Sequence, residues 1–228
     1  MDADNEKVRI DFDSCSRCDA CFDVCTPRAL EPVGRWWTVK ALMEKILIDK
    51  NFFDATGGGV TLSGGEPTLQ MAFLSRFLTA LKQESIHTGL ETCGLFALED
   101  FQTDILPYLD FIYFDLKLMD PGESRRFTGR SNEQILQNFL FLSERAPVPV
   151  VARIPLVPGI TATENNLEGI SRFLQKHGVK ACALMPYNPL WRDKAANSGV
   201  AISYSHPEFM SQREEEDCVQ LISSRLDP

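Results

Sequence analysis

Five short apolar segments, each bounded by turn residues, constrain the fold of this chain more than any other feature of its sequence. Runs of this length are typical of buried parallel strands. Longer helical patterns separate them, and strand–helix repeats of about 30 residues predict βαβ units. The chain is therefore predicted to be an α/β protein, with either an open doubly wound sheet or a β/α barrel. The predicted strands are GVTLS (59–63), HTGLET (87–92), FIYFD (111–115), VPVVARI (148–154) and KACALM (180–185).

Helical patterns fill most of the chain between and around these strands. Apolar residues at helical spacing predict helices over 38–49, 69–83, 98–106, 132–145, 163–177 and 213–225. Thr161 with Glu164 forms a better capping box than Thr163 with Asn166, so we expect Thr161 to cap its helix. The composition changes only near residue 34, where a cysteine-rich segment ends. We therefore expect a small segment over 1–34 and a larger domain over 35–228.

The charge and hydropathy of the chain exclude two classes of partner. Its 228 residues carry a net charge of −9, which argues against a nucleic acid as the main partner. No apolar run approaches the roughly 20 residues that span a bilayer. The acidic N-terminus also has no apolar signal core. We expect a soluble cytoplasmic protein that binds neither nucleic acid nor a membrane.

Four of the seven cysteines lie in the run CSRCDACFDVCT, residues 15–26. Their spacing, C-x2-C-x2-C-x3-C, matches the ferredoxin run that holds a [4Fe–4S] cluster, although Thr26 stands where proline normally follows. Zinc is the alternative, but zinc knuckles usually pair two C-x2-C units or add histidines. The last cysteine either closes the same cluster as the first three or belongs to a module of which half is missing. The predicted ligands are Cys15, Cys18, Cys21 and Cys25.

Charged, polar or glycine-rich residues lie at the carboxyl ends of all five predicted strands. In parallel α/β folds the functional residues lie at the carboxyl ends of the strands. Charges buried there are costly unless they are paired or bind a ligand, and paired glycines let a ligand approach the backbone. We therefore expect one pocket that suits a small zwitterionic ligand. The pocket would be lined by Glu66, Glu91, Asp115, Lys117 and Arg153, with the paired glycines Gly64 and Gly65 directly before Glu66.

These motifs together resemble a known family. The run TGGGVTLSGGEPTLQ (56–70), followed in order by ETCG, YFDLK, RIPLVPG and LMPYN, resembles the glycyl-radical-enzyme activating enzymes. These are radical S-adenosylmethionine (SAM) proteins of the pyruvate formate-lyase activating type. The resemblance implies a partial β/α barrel of six strands, here without its first strand. It also implies that residues 1–34 are the remnant of a ferredoxin-like insert.

The resemblance implies a reaction and its partners. A reduced [4Fe–4S] cluster cleaves SAM, and the resulting 5′-deoxyadenosyl radical takes a hydrogen atom from a glycine of a glycyl radical enzyme. A flavodoxin or a ferredoxin-type protein is the expected electron donor. The cofactors would supply the difficult chemistry, and the protein would orient and shield them.

The resemblance also implies roles for the residues at the strand ends. Gly64, Gly65 and Glu66 would bind the SAM amino group. Asp115, with Glu91 and Thr92, would hold a monovalent cation beside the SAM carboxylate. Lys117 and Arg153 would contact the SAM ribose or carboxylate. Asn188 stands where the family often has histidine, and its amide would hydrogen-bond in that place.

The sequence departs from the family in one respect. The family holds its SAM cluster with a C-x3-C-x2-C loop, and no such motif occurs here; Arg28 stands where Cys21-x3-Cys25 would need a third cysteine. Three explanations follow: an N-terminally truncated activating enzyme, inactive alone; a working variant in which Cys15, Cys18 and Cys21 bind the SAM cluster; or a non-catalytic relic that transfers electrons or binds SAM. The first is the prediction, and the others are its alternatives.

Overall fold

The structure is a computed structural model that describes residues 10–26, 29–198 and 200–226. The chain divides into two compact units, and each is described by itself. One unit comprises residues 1–37 and 189–206, and the other comprises residues 38–188 and 207–228. The division expected at residues 34 and 35 stays a prediction. Among the described residues, no helix is long and apolar enough to cross a membrane.

The larger unit is built on a parallel sheet whose strands follow one another in sequence order, β1-β2-β3-β4-β5. All five predicted strands are present, and their ends differ from the prediction by at most two residues. Apolar runs were a reliable signal here because the three central strands carry buried residues, whereas the two edge strands are only partly buried. The strands are β1 (Gly59–Leu62), β2 (His87–Thr92), β3 (Phe111–Asp115), β4 (Val150–Pro155) and β5 (Cys182–Met185).

The helices connect these strands or flank the sheet. Those of the larger unit are α2 (Val39–Ile46), α3 (Lys50–Thr56), α4 (Met71–Gln83), α5 (Leu98–Asp104), α6 (Pro121–Thr128), α7 (Glu133–Arg145), α8 (Glu164–Lys176) and α10 (Gln212–Leu226). The smaller unit contains α1 (Ala20–Val24) and α9 (Trp191–Asn197). The predictions missed α1, α3, α6 and α9, which are short.

Burial of the sheet is one-sided. Leu90 pairs with Ile112 and Phe114 pairs with Ala152, and all four are fully buried in the core formed with α4, α7 and α8. The opposite face carries Glu91 and Tyr113, which remain partly exposed. A doubly wound sheet would have helices on both faces. Helices on one face and an open second face are the arrangement of a partial β/α barrel, so the predicted fold class is confirmed.

One predicted helix cap is wrong. The side chain of Thr163, not that of Thr161, accepts a hydrogen bond from the backbone N–H of Asn166 at the start of α8. The Thr161 hydroxyl instead donates to the carbonyl of Pro155 and accepts from the N–H of Val157. A contact with the loop after β4 therefore competes successfully with the local capping box.

Candidate functional site

An ion-pair cluster lies on the open face of the sheet, where β2, β3 and β4 end. Arg153 is at its centre: its Nε donates to Asp115 Oδ1 at 2.7 Å, and its Nη1 lies 2.7 Å from Glu91 Oε1. The register accounts for this arrangement, because Asp115 pairs with Arg153 and Tyr113 pairs with Glu91. Residues two apart on a strand share a face, so the three charged side chains project from the same side.

Two neighbouring segments complete the cluster. Lys117, in the loop after β3, places its Nζ 3.4 Å from Asp115 Oδ2. Ser63, directly after β1, donates its hydroxyl to Glu91 Oε2 at 2.6 Å. Two cations therefore balance two carboxylates. The Arg153 and Asp115 side chains are only 14% and 13% exposed, which shields the pair from water without closing the open face.

The contacts stabilise the charged forms of the cluster. The hydrogen bond from Arg153 holds the pKa of Glu91 below its ordinary value, and the bond from Ser63 adds to the effect. Burial by itself would lower the pKa of Arg153, but hydrogen bonds to Asp115 and Glu91 outweigh burial and raise it. Glu91 and Arg153 are therefore fixed charges at neutral pH rather than a proton donor or acceptor.

Glu66 connects the segment after β1 to the end of β2 through hydrogen bonds. Its Oε1 accepts hydrogen bonds from the N–H and hydroxyl of Thr68 and from the hydroxyl of Thr92, and its Oε2 accepts from the N–H of Cys93 at 2.7 Å. Burial would raise the pKa of Glu66, but these bonds outweigh it and hold the pKa below its ordinary value. Four hydrogen bonds nearly fill the acceptor capacity of a carboxylate, so little of it is left for a ligand.

The glycines before Glu66 border empty space. A Cβ atom built on Gly64 or Gly65 would meet no heavy atom within 4 Å. Gly64 has a φ of +123°, which side chains rarely adopt, whereas Gly65 has no such constraint. Packing within the chain therefore gives no reason for a glycine at residue 65. A space beside the backbone at the carboxyl edge is what a bound ammonium group would need.

Thr92 lies outside the ion-pair cluster, and Asn188 lies beyond the last strand. Thr92 is next to Glu91 on β2, so its side chain faces the opposite, helix-covered side, where it is buried against Glu66. Asn188 is exposed and lies three residues beyond β5. The structure thus brings Glu91, Asp115, Lys117 and Arg153 into one cluster and Glu66 with Thr92 into another.

A cavity of about 130 Å³ lies beside Asp115 and Lys117, bounded by the loops after β2 and β3 and by α6 and α7. Cavities that enclose small ligands are typically about 300–1,000 Å³. This cavity is too small for a nucleoside-sized molecule.

The cysteine run lies in the smaller unit, partly in α1. Arg17 and Asp19 adopt positive φ angles of 55° and 63°, which turn the chain on both sides of Cys18. The N–H of Arg17 points at Cys15 Sγ at 3.4 Å, and a hydrogen bond from the N–H of Ala20 lowers the pKa of Cys18. The contact at Cys18 favours its thiolate, which suits an iron–sulfur cluster chemically. Within the residues described, however, no three cysteine, histidine or acidic side chains converge into a metal site.

The sequence predictions missed three residues that shape the site. Ser63 lies two residues after Thr61 and therefore on the same face of the sheet, so the alternation of side chains along β1 indicates its position. Asn132 and Asn166 hold the loop that carries Lys117. Their contacts join residues 13 to 49 positions apart, and no local pattern reveals them.

Comparison with known proteins places this geometry in a family. Residues 16–170 match the model of the radical SAM superfamily. The isethionate sulfite-lyase activating enzyme of Oleidesulfovibrio alaskensis is 35% identical over 194 residues, which cover 84% of this chain and 62% of the relative. The trans-4-hydroxy-L-proline dehydratase activating enzyme of Clostridioides difficile is 36% identical, with 83% of this chain and 72% of the relative covered.

A solved structure agrees with these relatives. A domain of the pyruvate-formate lyase-activating enzyme from Bacteroides vulgatus superimposes with a TM-score of 0.58 at 29% identity, and the match covers 74% of this chain and 95% of that domain. The chain spans 62% of the length of the isethionate sulfite-lyase activating enzymes that it matches. From the family model and these relatives, the chain belongs to the radical SAM superfamily and, within it, to the glycyl-radical-enzyme activating enzymes.

Proposed function

We propose that the open face of the sheet binds SAM at its carboxyl edge and that the chain serves the activation of a glycyl radical enzyme. The observation that carries the proposal is the neutral ion-pair cluster of Glu91, Asp115, Lys117 and Arg153 beside the unfilled space at Gly65. A zwitterionic amino-acid end needs acceptors for its ammonium group and donors for its carboxylate, and this edge offers both.

Each residue then has a role in binding. The backbone carbonyls at Gly64 and Gly65 accept hydrogen bonds from the SAM ammonium, and Glu66 holds that turn against β2. Lys117 and Arg153 donate to the SAM carboxylate or ribose, with Asp115 and Glu91 fixing their positions. Asn188 donates its amide to the same ligand from beyond β5.

A monovalent cation is part of the proposal as well, at Asp115 with Glu91 and Thr92. The guanidinium of Arg153 lies between the two carboxylates, so the cation would use the oxygen lone pairs that Arg153 leaves unoccupied. Thr92 would reach it through its backbone carbonyl, because its hydroxyl is turned towards Glu66.

The cofactors follow from the family. When bound, a reduced [4Fe–4S] cluster supplies the electron that cleaves SAM into methionine and the 5′-deoxyadenosyl radical, which takes a hydrogen atom from a glycine Cα of the partner enzyme. In this chain Cys15, Cys18, Cys21 and Cys25 would hold an auxiliary [4Fe–4S] cluster. The SAM-cleaving cluster would need the C-x3-C-x2-C loop that this sequence lacks, so the chain alone would be inactive. Flavodoxin or a ferredoxin-type protein is the proposed electron donor. The two relatives above are activating enzymes of a sulfite-lyase and a dehydratase, so a glycyl radical enzyme is the proposed partner.

A second candidate function is supported by the missing C-x3-C-x2-C motif. In this alternative the chain is a non-catalytic member of the family that transfers electrons or binds SAM without cleaving it. Its four cysteines would then hold a cluster without an open iron, and the chain alone would be inactive.

Electron paramagnetic resonance and SAM titration together separate the two functions. The protein is reconstituted anaerobically with iron and sulfide, reduced, and measured with and without SAM. The first function predicts that SAM binds while the cluster signal stays unchanged, because an auxiliary cluster has no iron open to SAM. A signal that shifts, with formation of 5′-deoxyadenosine, would mean that Cys15, Cys18 and Cys21 hold the SAM cluster and that the chain alone is active. Absence of any SAM binding would contradict the proposed pocket and favour electron transfer.

A further inference from the structure

The loop that carries Lys117 is held by a side chain from a distant helix. Asn166, in the first turn of α8, is buried. Its Nδ2 donates to the carbonyl of Lys117 at 2.8 Å, and its Oδ1 accepts from the N–H of Met119 at 2.9 Å. One amide group thus fixes the backbone on both sides of Leu118. A side-chain amide can satisfy both kinds of backbone group, which a carboxylate cannot.

The same amide reaches a second loop of the site. Asn166 Nδ2 also donates to the carbonyl of Thr161 at 2.8 Å. The Thr161 hydroxyl is bonded to Pro155 and Val157, at the end of β4. Arg153 lies in that strand two residues before Pro155. Asn166 therefore connects the segment that carries Lys117 to the segment that carries Arg153.

A second asparagine supports the loop without making this connection. Asn132, just before α7, donates to the carbonyls of Leu118 at 2.7 Å and Met119 at 2.8 Å. It therefore holds the part of the loop that follows Lys117. Asn166 differs because its contacts include the carbonyl of Lys117 itself and the loop that follows β4.

We propose that Asn166 is a positioning residue that sets the place of the Lys117 ammonium relative to Asp115 and Arg153. The inference rests on the proposed function in so far as Lys117 contacts SAM. Asn166 acts through Lys117 and touches no reacting atom. Its contribution to SAM affinity should therefore depend on the presence of the Lys117 amine.

Two substitutions of Asn166 test its hydrogen bonds: one removes all of them, and the other removes only those that its amide N–H groups donate. Asn166→Leu keeps the size of the side chain and removes all three hydrogen bonds. Asn166→Asp keeps the shape and the bond from Met119, but it sets a carboxylate oxygen against the carbonyls of Lys117 and Thr161. Ser171→Ala is the matched control, because Ser171 is buried on the same helix and donates only to Ile222 of α10.

The first measurement does not involve SAM. Lysines are acetylated with a limiting amount of an N-hydroxysuccinimide ester, and the labelling of Lys117 relative to Lys82 is read by peptide mass spectrometry. Both side chains are accessible enough, at 39% and 30% exposure, and both are paired with an aspartate. In each Asn166 variant the labelling ratio should rise about threefold, because the Lys117 ammonium is no longer held beside Asp115. The rise is small because exposed ion pairs protect weakly. In Ser171→Ala it should stay as in the wild type. An unchanged ratio in both Asn166 variants overturns the proposal.

The second measurement is a double-mutant cycle on SAM affinity, by isothermal titration calorimetry of the reconstituted protein. Asn166→Leu should weaken SAM binding about tenfold in the wild-type background. In the Lys117→Ala background the same substitution should change the affinity less than twofold. An equal loss in both backgrounds would overturn the positioning role. A wild-type protein that binds no SAM would contradict the proposed function, while the acetylation ratio would still decide the role of Asn166.

Discussion

The two edges of the sheet both carry a lysine–aspartate pair, yet the pairs differ in what surrounds them. At the amino edge, Asp110 accepts hydrogen bonds from Lys82 and from the N–H of Thr88, and the Thr88 hydroxyl donates to the carbonyl of Tyr108. These bonds tie α4, β2 and the turn before β3 together. Every partner belongs to the fold, so this edge stabilises the sheet.

The carboxyl edge differs because part of its polar surface borders open space. Lys117 and Asp115 meet there beside Arg153, on the face that the described helices of the larger unit leave uncovered, and the space at Gly65 is unfilled. In parallel α/β folds the amino edge serves stability and the carboxyl edge serves ligands. The two edges of the sheet differ in burial and in how many of their polar groups already have hydrogen-bond partners within the chain.

The largest effect is expected from Arg153→Met. This substitution leaves Glu91 and Asp115 facing each other without their shared cation, so the free energy of unfolding should fall by about 3 kcal/mol. SAM affinity should fall about 100-fold, because a ligand donor is lost together with the geometry of its neighbours. Chemical denaturation and SAM titration measure the two losses. A variant with wild-type SAM affinity would contradict the assignment of the carboxyl edge.

The next effect concerns acid stability. The pKa of Glu66 and that of Glu91 lie below the ordinary value of 4.5 in the folded chain, and that of Asp110 lies below 3.8. Because these values are lowered by folding, their stabilisation is fully present above the unfolded pKa and is lost as the pH falls through the folded pKa. The free energy of unfolding should therefore decrease below about pH 4.5.

Glu66→Gln should make this decrease shallower and should lower stability at pH 7 by about 2 kcal/mol, since an amide cannot accept all four hydrogen bonds. Urea denaturation at pH 7, 5 and 4 provides the measurement. If the variant kept the acid slope of the wild type, Glu66 would not be a main source of it.

Gly65→Ala separates binding from stability at the carboxyl edge. The new methyl group enters open space, so the free energy of unfolding should change by less than about 0.5 kcal/mol. SAM affinity should fall about tenfold, because the methyl group occupies room that the ligand needs. Thermal melting and calorimetry of the same sample give both numbers. Equal SAM affinity in the variant and the wild type would place the ligand elsewhere.

The smallest effect on the site is expected from Lys82→Met at the amino edge. Asp110 loses a charged partner, and the free energy of unfolding should fall by about 1 kcal/mol. SAM affinity should remain within twofold of the wild type, as the change is at the opposite edge of the sheet. A large loss of affinity here would show that the two edges are not independent.

The parts of this fold that were predictable are those with local signals. The five strands were found from apolar runs, and Glu91, Asp115 and Arg153 were found because they end such runs. Helix α6 was missed although Asp120, Pro121 and Gly129 mark its two ends; its lack of an apolar stripe concealed it. The cap of α8 was wrong because Thr161 is engaged by the loop after β4.

The role of Asn166 was not predictable, because its partners lie 5 to 49 positions away and are defined only by the packing of α8. The same holds for Glu66. Its sequence neighbours indicated a ligand-binding carboxylate, and the structure adds four hydrogen bonds through which it connects the segment after β1 to the end of β2. That Gly64, Gly65, Lys117 and Asn188 bind SAM stays a proposal.

The central claim is that the carboxyl edge of the sheet is the SAM site, and calorimetric titration of SAM into the anaerobically reconstituted protein tests it most directly. The wild type and three variants, Arg153→Met, Gly65→Ala and Lys82→Met, are compared at one pH and one protein concentration. The two carboxyl-edge variants are expected to bind SAM more weakly, and Lys82→Met is expected to bind it as the wild type does. If the wild type bound no SAM, or if all four proteins bound it equally, the carboxyl edge would not be the SAM site.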